Sequence, residues 1–224
     1  MSSPRDKSTR LIDAVSSSRP GGLPGDPATR QRILAAALQL ISARGGADVT
    51  MAEVARKARV SRQALYLHFA DRAELFTAAV RDADEQRGLP AAIREVVDAP
   101  TGIDGVIEMV ALQARMNPGI WPIARAFEAV RRQDEAAERT WQDRLDHRLE
   151  ACRTMVDRLA GEGTLRPGLD RDVAADLLWT LTSLRMWEDL VLQRKWSARE
   201  YERRLGEVLL TTLTNTAASI LQRR

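Results

Sequence analysis

Residues 50–69, Thr-Met-Ala-Glu-Val-Ala-Arg-Lys-Ala-Arg-Val-Ser-Arg-Gln-Ala-Leu-Tyr-Leu-His-Phe, constrain the fold more than any other stretch. Thr50 followed by Glu53 is a Ser/Thr-x-x-Glu capping box, in which each side chain satisfies a backbone N–H of the other residue. It starts a helix at Met51 that ends near Ala58. Ser61 opens a further helix of about two turns. Two short helices joined by so tight a turn form a helix-turn-helix, whose second helix can lie in the major groove of DNA.

Start and stop signals divide the rest. Residues 1–28 mix Ser, Pro, Gly and Arg and read as a flexible basic arm. A helix begins near Asp26 with Pro27 at its first position and runs to about Arg44, where Gly45-Gly46 stops it. Ile33, Leu34, Ala37, Leu38 and Ile41 give it one buried stripe. Asp71 and Glu74 launch a helix to about Gln86. Gly88-Leu-Pro90 and Ala99-Pro-Thr-Gly102 read as breaks. Helical patterns then cover about 103–116 and 119–132, with Asn117-Pro-Gly119 as a turn. A long helix spans about Asp134 to Ala160, another Asp170 to Arg194, and Ser197 with Glu200 caps a last one reaching about Ser219.

The fold class is therefore all-α: an N-terminal three-helix helix-turn-helix domain over 29–75, motif 50–69, followed by a C-terminal helical body over 76–224, for which ligand binding and dimerisation are the expectation argued below. Charge is graded along it. Residues 29–80 carry a net +4, and those after position 80 a net −2, within a total of +3. A polyanion meets the first third of the chain. No run of about 18 uncharged apolar residues offers a membrane span, and the start lacks the apolar core of a signal peptide. The lone Cys152 has no partner in the chain, which suits a reducing cytoplasm. Two histidines, with no metal-ligand spacing, phosphate loop or Gly-x-Ser-x-Gly, argue against an enzyme and against any cofactor. Cys152 reads as a small buried apolar residue.

Within the motif, Val54, Ala55, Val60, Leu65 and Phe69 fall where a small three-helix core needs them. Ser61, Arg62, Gln63, Ala64, Tyr66 and His68 are left outward. Arg62 can pair with guanine, Gln63 with adenine, and Ala64 can touch a thymine methyl. Thr50, Tyr66 and His68 suit phosphate oxygens, and Arg72 adds charge beside a helix N-terminus. The plainer uses are packing for Tyr66, packing or capping for His68, and capping for Thr50.

Residues 29–80 resemble the DNA-binding domain of the tetracycline-repressor (TetR) family of bacterial regulators. The resemblance rests on Thr50-x-x-x-Val54-Ala55, Val60-Ser61, Leu65-Tyr66-x-His68-Phe69 and Asp71-Arg72-x-Glu74-Leu75. It implies DNA-contact roles for Thr50, Ser61, Tyr66, His68 and Arg72, and a helical body that binds a small molecule and dimerises. Three positions depart from the family pattern. Arg59 stands where Gly is usual, Gln63 replaces a frequent Gly, and Arg72 replaces a usual Lys.

All five tryptophans lie beyond residue 120. Met109, Gln113, Met116, Trp121, Phe127, Trp179 and Trp187 are the candidate lining of a cavity for an apolar or aromatic effector, with plain core packing as the alternative use. The last two helices, with Val173, Leu177, Leu178, Leu181, Leu184 and Val191, then Leu205, Val208, Leu209 and Leu213, can pair with a second copy as a four-helix bundle. The resulting expectation is a cytoplasmic, sequence-specific transcriptional regulator. It is a homodimer on a palindromic operator, and a repressor released when a small molecule binds. The alternative is a DNA-binding regulator or architectural factor with no small-molecule ligand. The residues leave the sign of control open.

Overall fold

The computed structural model describes residues 26–44, 49–132 and 135–215. Among them are ten α-helices, a π-helical turn and no strand. They are α1 (Pro27–Arg44), α2 (Met51–Ala58), α3 (Arg62–His68), α4 (Arg72–Gln86), α5 (Leu89–Val97), α6 (Gly102–Arg131), α7 (Glu135–Gly161), α8 (Arg171–Leu181), α9 (Leu184–Trp187), the π turn Glu188–Gln193, and α10 (Ala198–Leu213). Most of the expected arm, residues 1–25, and the Gly45-Gly46 stop lie outside the described residues. No helix among the described residues is long and apolar enough to cross a membrane.

The caps act where the sequence placed them. Asp26 accepts from the Ala28 and Thr29 backbone N–H groups at 3.2 and 3.0 Å and from the Thr29 hydroxyl at 2.7 Å. That hydroxyl is the main reason its carboxyl sits below the ordinary value. Thr50 and Glu53 form the reciprocal box. Glu53 is held at about 2, first by the Arg44 guanidinium 2.6 Å away and then by the Thr50 backbone N–H. Asp71 accepts from Glu74 N at 2.8 Å, while the Glu74 carboxylate reaches back to Ala70 N at 2.7 Å.

Four expectations are corrected. Asn117-Pro-Gly119 is not a turn, because α6 runs through it unbroken. Burial on both sides of the proline, with Val106, Val110 and Ala114 before it and Ile123 and Phe127 after it, outweighs its cost of roughly 3 kcal/mol in a helix interior. Gly88-Leu-Pro90 ends one helix but also begins another. Gly88 takes φ 73°, and Leu89 and Pro90 open α5, since a first-turn proline forfeits no internal hydrogen bond. The expected helix from Asp170 to Arg194 stops at Leu181. Ser183 then caps α9 by accepting from Met186 N at 3.1 Å, and a π turn follows. Finally, α10 ends at Leu213, not near Ser219. Thr214 turns extended and bridges Leu165, and Arg166 N donates to Leu213 O at 2.8 Å.

The chain gathers into two compact units that do not follow chain order. One contains residues 26–89 and 119–144, the other 90–118 and 145–215. In the first unit the core joins Ile33, Leu34, Ala37 and Ile41 of α1 to Val54, Ala55, Leu65, Phe69, Leu75 and Phe76. It also takes in Phe127 from the second half of α6. Phe127 stacks on Trp141 at 6.0 Å between centroids. The Asp84 carboxylate is buried and paired with Arg144 at 2.9 Å.

In the second unit Val106, Val110, Cys152, Val156, Leu159, Ala175, Leu178, Tyr201, Leu205 and Leu209 are buried. Burial pushes the Cys152 thiol up to about 11, which fits its role as an unreactive core group.

Arg59 sits at φ 56°, ψ 46°, the left-handed conformation that the missing glycine would adopt without penalty. The strain costs about 1–2 kcal/mol, of which glycine's extra unfolded-chain entropy returns about half. Arg59→Gly is therefore expected to raise the thermal midpoint by roughly 1–4 °C, as followed by circular dichroism. An unchanged or lower midpoint would mean that the turn is unstrained.

Candidate nucleic-acid interface

α3 is short and is held by one fully buried side chain, Leu65, with Phe69 closing its end. Val60 is only partly buried against the same core. Anchoring on one side leaves the opposite side of α3 open. Ser61, Arg62 and Gln63 are exposed at its start, Ala64 is half-buried, and Tyr66 is 47% exposed. A tyrosine used as a lid on the core would lose most of that exposure, so its ring is available to a partner.

The polar atoms are differently committed. Ser61 Oγ accepts from Ala64 N at 3.0 Å, which uses a lone pair and leaves its proton for an incoming acceptor. The Thr50 hydroxyl instead donates to Glu53 Oε2 at 3.0 Å while accepting from Glu53 N at 3.3 Å, so a phosphate there competes with Glu53. His68 is half-buried and tilted against the Phe69 ring at 6.4 Å. Arg72, half-buried in the first turn of α4, lies 5.8 Å over the Phe76 ring. Arg30 covers Phe69 from α1 at 5.1 Å.

One outward residue escaped the sequence reading. Leu67 is 70% exposed between Tyr66 and His68. The sequence reading left it unassigned, and a helix this short leaves the face opposite Leu65 uncovered. An exposed leucine beside polar readers offers a contact to thymine methyls. Counting positions from Leu65 around the helix would have found it.

An exposed polar helix, capped by serine and set on a compact three-helix core beside a basic first helix, defines a helix-turn-helix DNA-binding protein. The family profile "Bacterial regulatory proteins, tetR family" matches residues 33–79. The HTH-type transcriptional regulator SrpR of Pseudomonas putida is 48% identical over 50 residues, 22% of this chain and 24% of that protein. The nucleoid occlusion factor SlmA of Marinobacter nauticus is 27% identical over 145 residues, 64% of this chain and 72% of that one. The fold extends the likeness. A putative transcriptional regulator from Saccharomonospora viridis, solved in complex with choline, superposes with a TM-score of 0.70 at 17% identity, covering 85% of this chain and all of that one. Residues 33–79 thus match the DNA-binding domain of TetR-family transcriptional regulators, and the chain as a whole is similar to such proteins in fold.

The candidate ligand residues divide between the units. Met109, Gln113, Met116, Trp179 and Trp187 lie in the unit of residues 90–118 and 145–215. Trp121 and Phe127 lie in the DNA-binding unit, Trp121 beneath the Arg125 guanidinium at 5.8 Å and Phe127 in the core. An open cleft of about 600 Å³ is lined by Glu95, Asp98, Ala99, Pro100, Asp104 and Glu108, none of them among the candidates. Among the described residues no group of His, Cys, Asp and Glu could hold a metal ion.

Proposed function

We propose that this regulator is a dimeric repressor that leaves a palindromic operator when a small molecule binds its body. The observation that carries the DNA side is the uncovered polar face of α3. Arg62, Gln63 and Ala64 read base edges there, while Thr50, Ser61, Tyr66, His68 and Arg72 hold phosphates and set the register. The reader is built on residues 29–75, and residues 76–224, of which 76–89 and 119–144 pack in the reader's own unit, supply sensing and pairing in the cytoplasm. Five of the candidate residues, Met109, Gln113, Met116, Trp179 and Trp187, support a ligand site within one unit.

Coupling has a covalent route. α6 and α7 each contribute one end to either unit. A ligand that displaces either helix therefore moves Phe127 or Trp141 in the reader's core. Reversing a 99:1 equilibrium in this way needs a preference of roughly 5.5 kcal/mol for one state.

Pairing through the last two helices is supported by Val173 on α8 and Val208 on α10, large apolar residues that remain 49% and 48% exposed. Val173→Asp with Val208→Asp is expected to turn a dimer into a monomer in light scattering after gel filtration. A dimer that persists removes this face from the interface.

Selection of binding sites from random duplex DNA tests the whole reading. The expected product is a palindrome with half-sites one helical turn apart. Enrichment of nothing, or binding that responds only to salt, would overturn it. The second reading, a DNA binder without a small-molecule ligand, is favoured by the nucleoid occlusion factors, whose similarity runs past the reader into the body.

A further inference from the structure

We propose that the body takes an amphiphilic effector by its anionic head, a carboxylate or a phosphate, and that Arg148 is the residue that holds it. The proposal rests on the sensor reading above and gives that ligand a chemical class.

Arg148, on α7, is half-buried and lies 4.6 Å over the Trp179 ring. Burial strips water from the guanidinium and pulls its pKa down, yet an arginine stays charged. No carboxylate lies within ion-pairing range of it among the described residues. The titratable groups that face it are both neutral. They are the Cys152 thiol, pushed up to about 11, and the Tyr201 phenol, raised by burial and committed to Gln113 Oε1 at 3.1 Å.

One partner exists. Nη1 donates to the Thr182 carbonyl, at the C-terminal end of α8, at 2.9 Å. That helix end offers about half an elementary charge, and Gln113 Nε2 shares the same oxygen at 2.5 Å. Nε and Nη2 have no acceptor among the described residues.

Two further donors stand in the same unit without acceptors. The indole N–H of Trp179, the ring under the guanidinium, is buried and unpaired. Asn117, one turn beyond Gln113 on α6, is 7% exposed with its amide nitrogen unpaired. Each such orphan costs about 1–3 kcal/mol until an acceptor arrives. Donors in excess, with a desolvated positive charge among them, select an anion and reject a cation. Met109 and Met116 fall on the same face of α6 as Gln113 and Asn117, by helical spacing, and offer an apolar stem a place to lie.

The test uses N-phenyl-1-naphthylamine, a neutral fluorescent probe, bound to the full-length protein. It is displaced by decanoate, decyl phosphate or decan-1-ol below their micellar or solubility limits. Decanoate or decyl phosphate is expected to compete at least about tenfold better than decanol, a charge-assisted contact. Their order tells carboxylate from phosphate. Arg148→Met should bring the preference below about twofold. Trp179→Phe, which keeps the ring and deletes only the N–H, should weaken the preferred anion about threefold. The Trp179 variant and the wild-type ranking decide the matter if the methionine variant melts early. Equal competition by decanol, a preference that survives Arg148→Met, or no probe binding at all would overturn the proposal.

The same compounds are added to protein on its selected operator. Anion preference without release of the duplex supports the Arg148 site and removes ligand control. Release by decanol as strong as by decanoate supports ligand control and overturns the anion site.

Discussion

Replacing Arg62 and Gln63 together by alanine is expected to lower affinity for the selected operator by about 100-fold. The same change should lower affinity for a scrambled duplex by only a few-fold. Each bidentate contact to a base edge discriminates by about 1–3 kcal/mol, and the two contacts together give the larger figure. Loss of one guanidinium reduces the salt dependence by no more than about one phosphate. Both side chains are exposed, so neither substitution opens the core. Competition fluorescence anisotropy on the two duplexes separates the effects. A similar loss on both would mean that these residues touch only the backbone. No loss on either would mean that α3 does not enter the groove. Tyr66→Phe, by contrast, removes one hydroxyl and should weaken both duplexes alike.

The reader was legible because its determinants are local. Thr50 with Glu53, Ser61 with Ala64 N, and Asp71 with Glu74 all act within three residues. The core positions of α1 repeat at helical spacing. The strained turn was marked only through the family resemblance, which puts glycine where Arg59 stands, and the structure gives that residue a positive φ.

The body was less legible, and each miss has a distant cause. α8 stops where Ser183 caps the next helix and where Gln113 and Arg148, 69 and 34 residues away in sequence, take the Thr182 carbonyl. Nothing near Thr182 announces those two partners. Asn117-Pro-Gly119 carries strong turn chemistry, yet burial at both ends of α6 holds the helix together through it. Gly88-Leu-Pro90 was misread for a different reason, since the same proline that ends one pattern is a good first-turn residue for the next. Leu67 was left unassigned in the sequence, and a seven-residue helix with one anchor cannot bury both flanks.

Phe127→Ala is expected to destabilise the DNA-binding unit by about 3–5 kcal/mol, the cost of a large cavity beneath a packed aromatic. In a chain of this length that is a fall of roughly 6–20 °C in midpoint. Phe127 is 6% exposed and stacks on Trp141, and both lie against the core that carries Leu65 and Phe69. Operator affinity should fall with stability, in the absence of any effector and most at higher temperature. Phe127→Leu, which refills most of the volume, should recover the greater part of both. Melting by circular dichroism and anisotropy on the operator supply the two readouts. The rival role for Phe127 is a wall of the ligand cavity, and it makes the opposite prediction. In that case the alanine variant melts near wild type and binds the operator normally, but no longer responds to the effector. The stacked ring favours the first outcome, because a side chain that completes the reader's core ties the far end of α6 to the element that meets DNA. On this reading Phe127 holds the empty reader in shape before any ligand arrives.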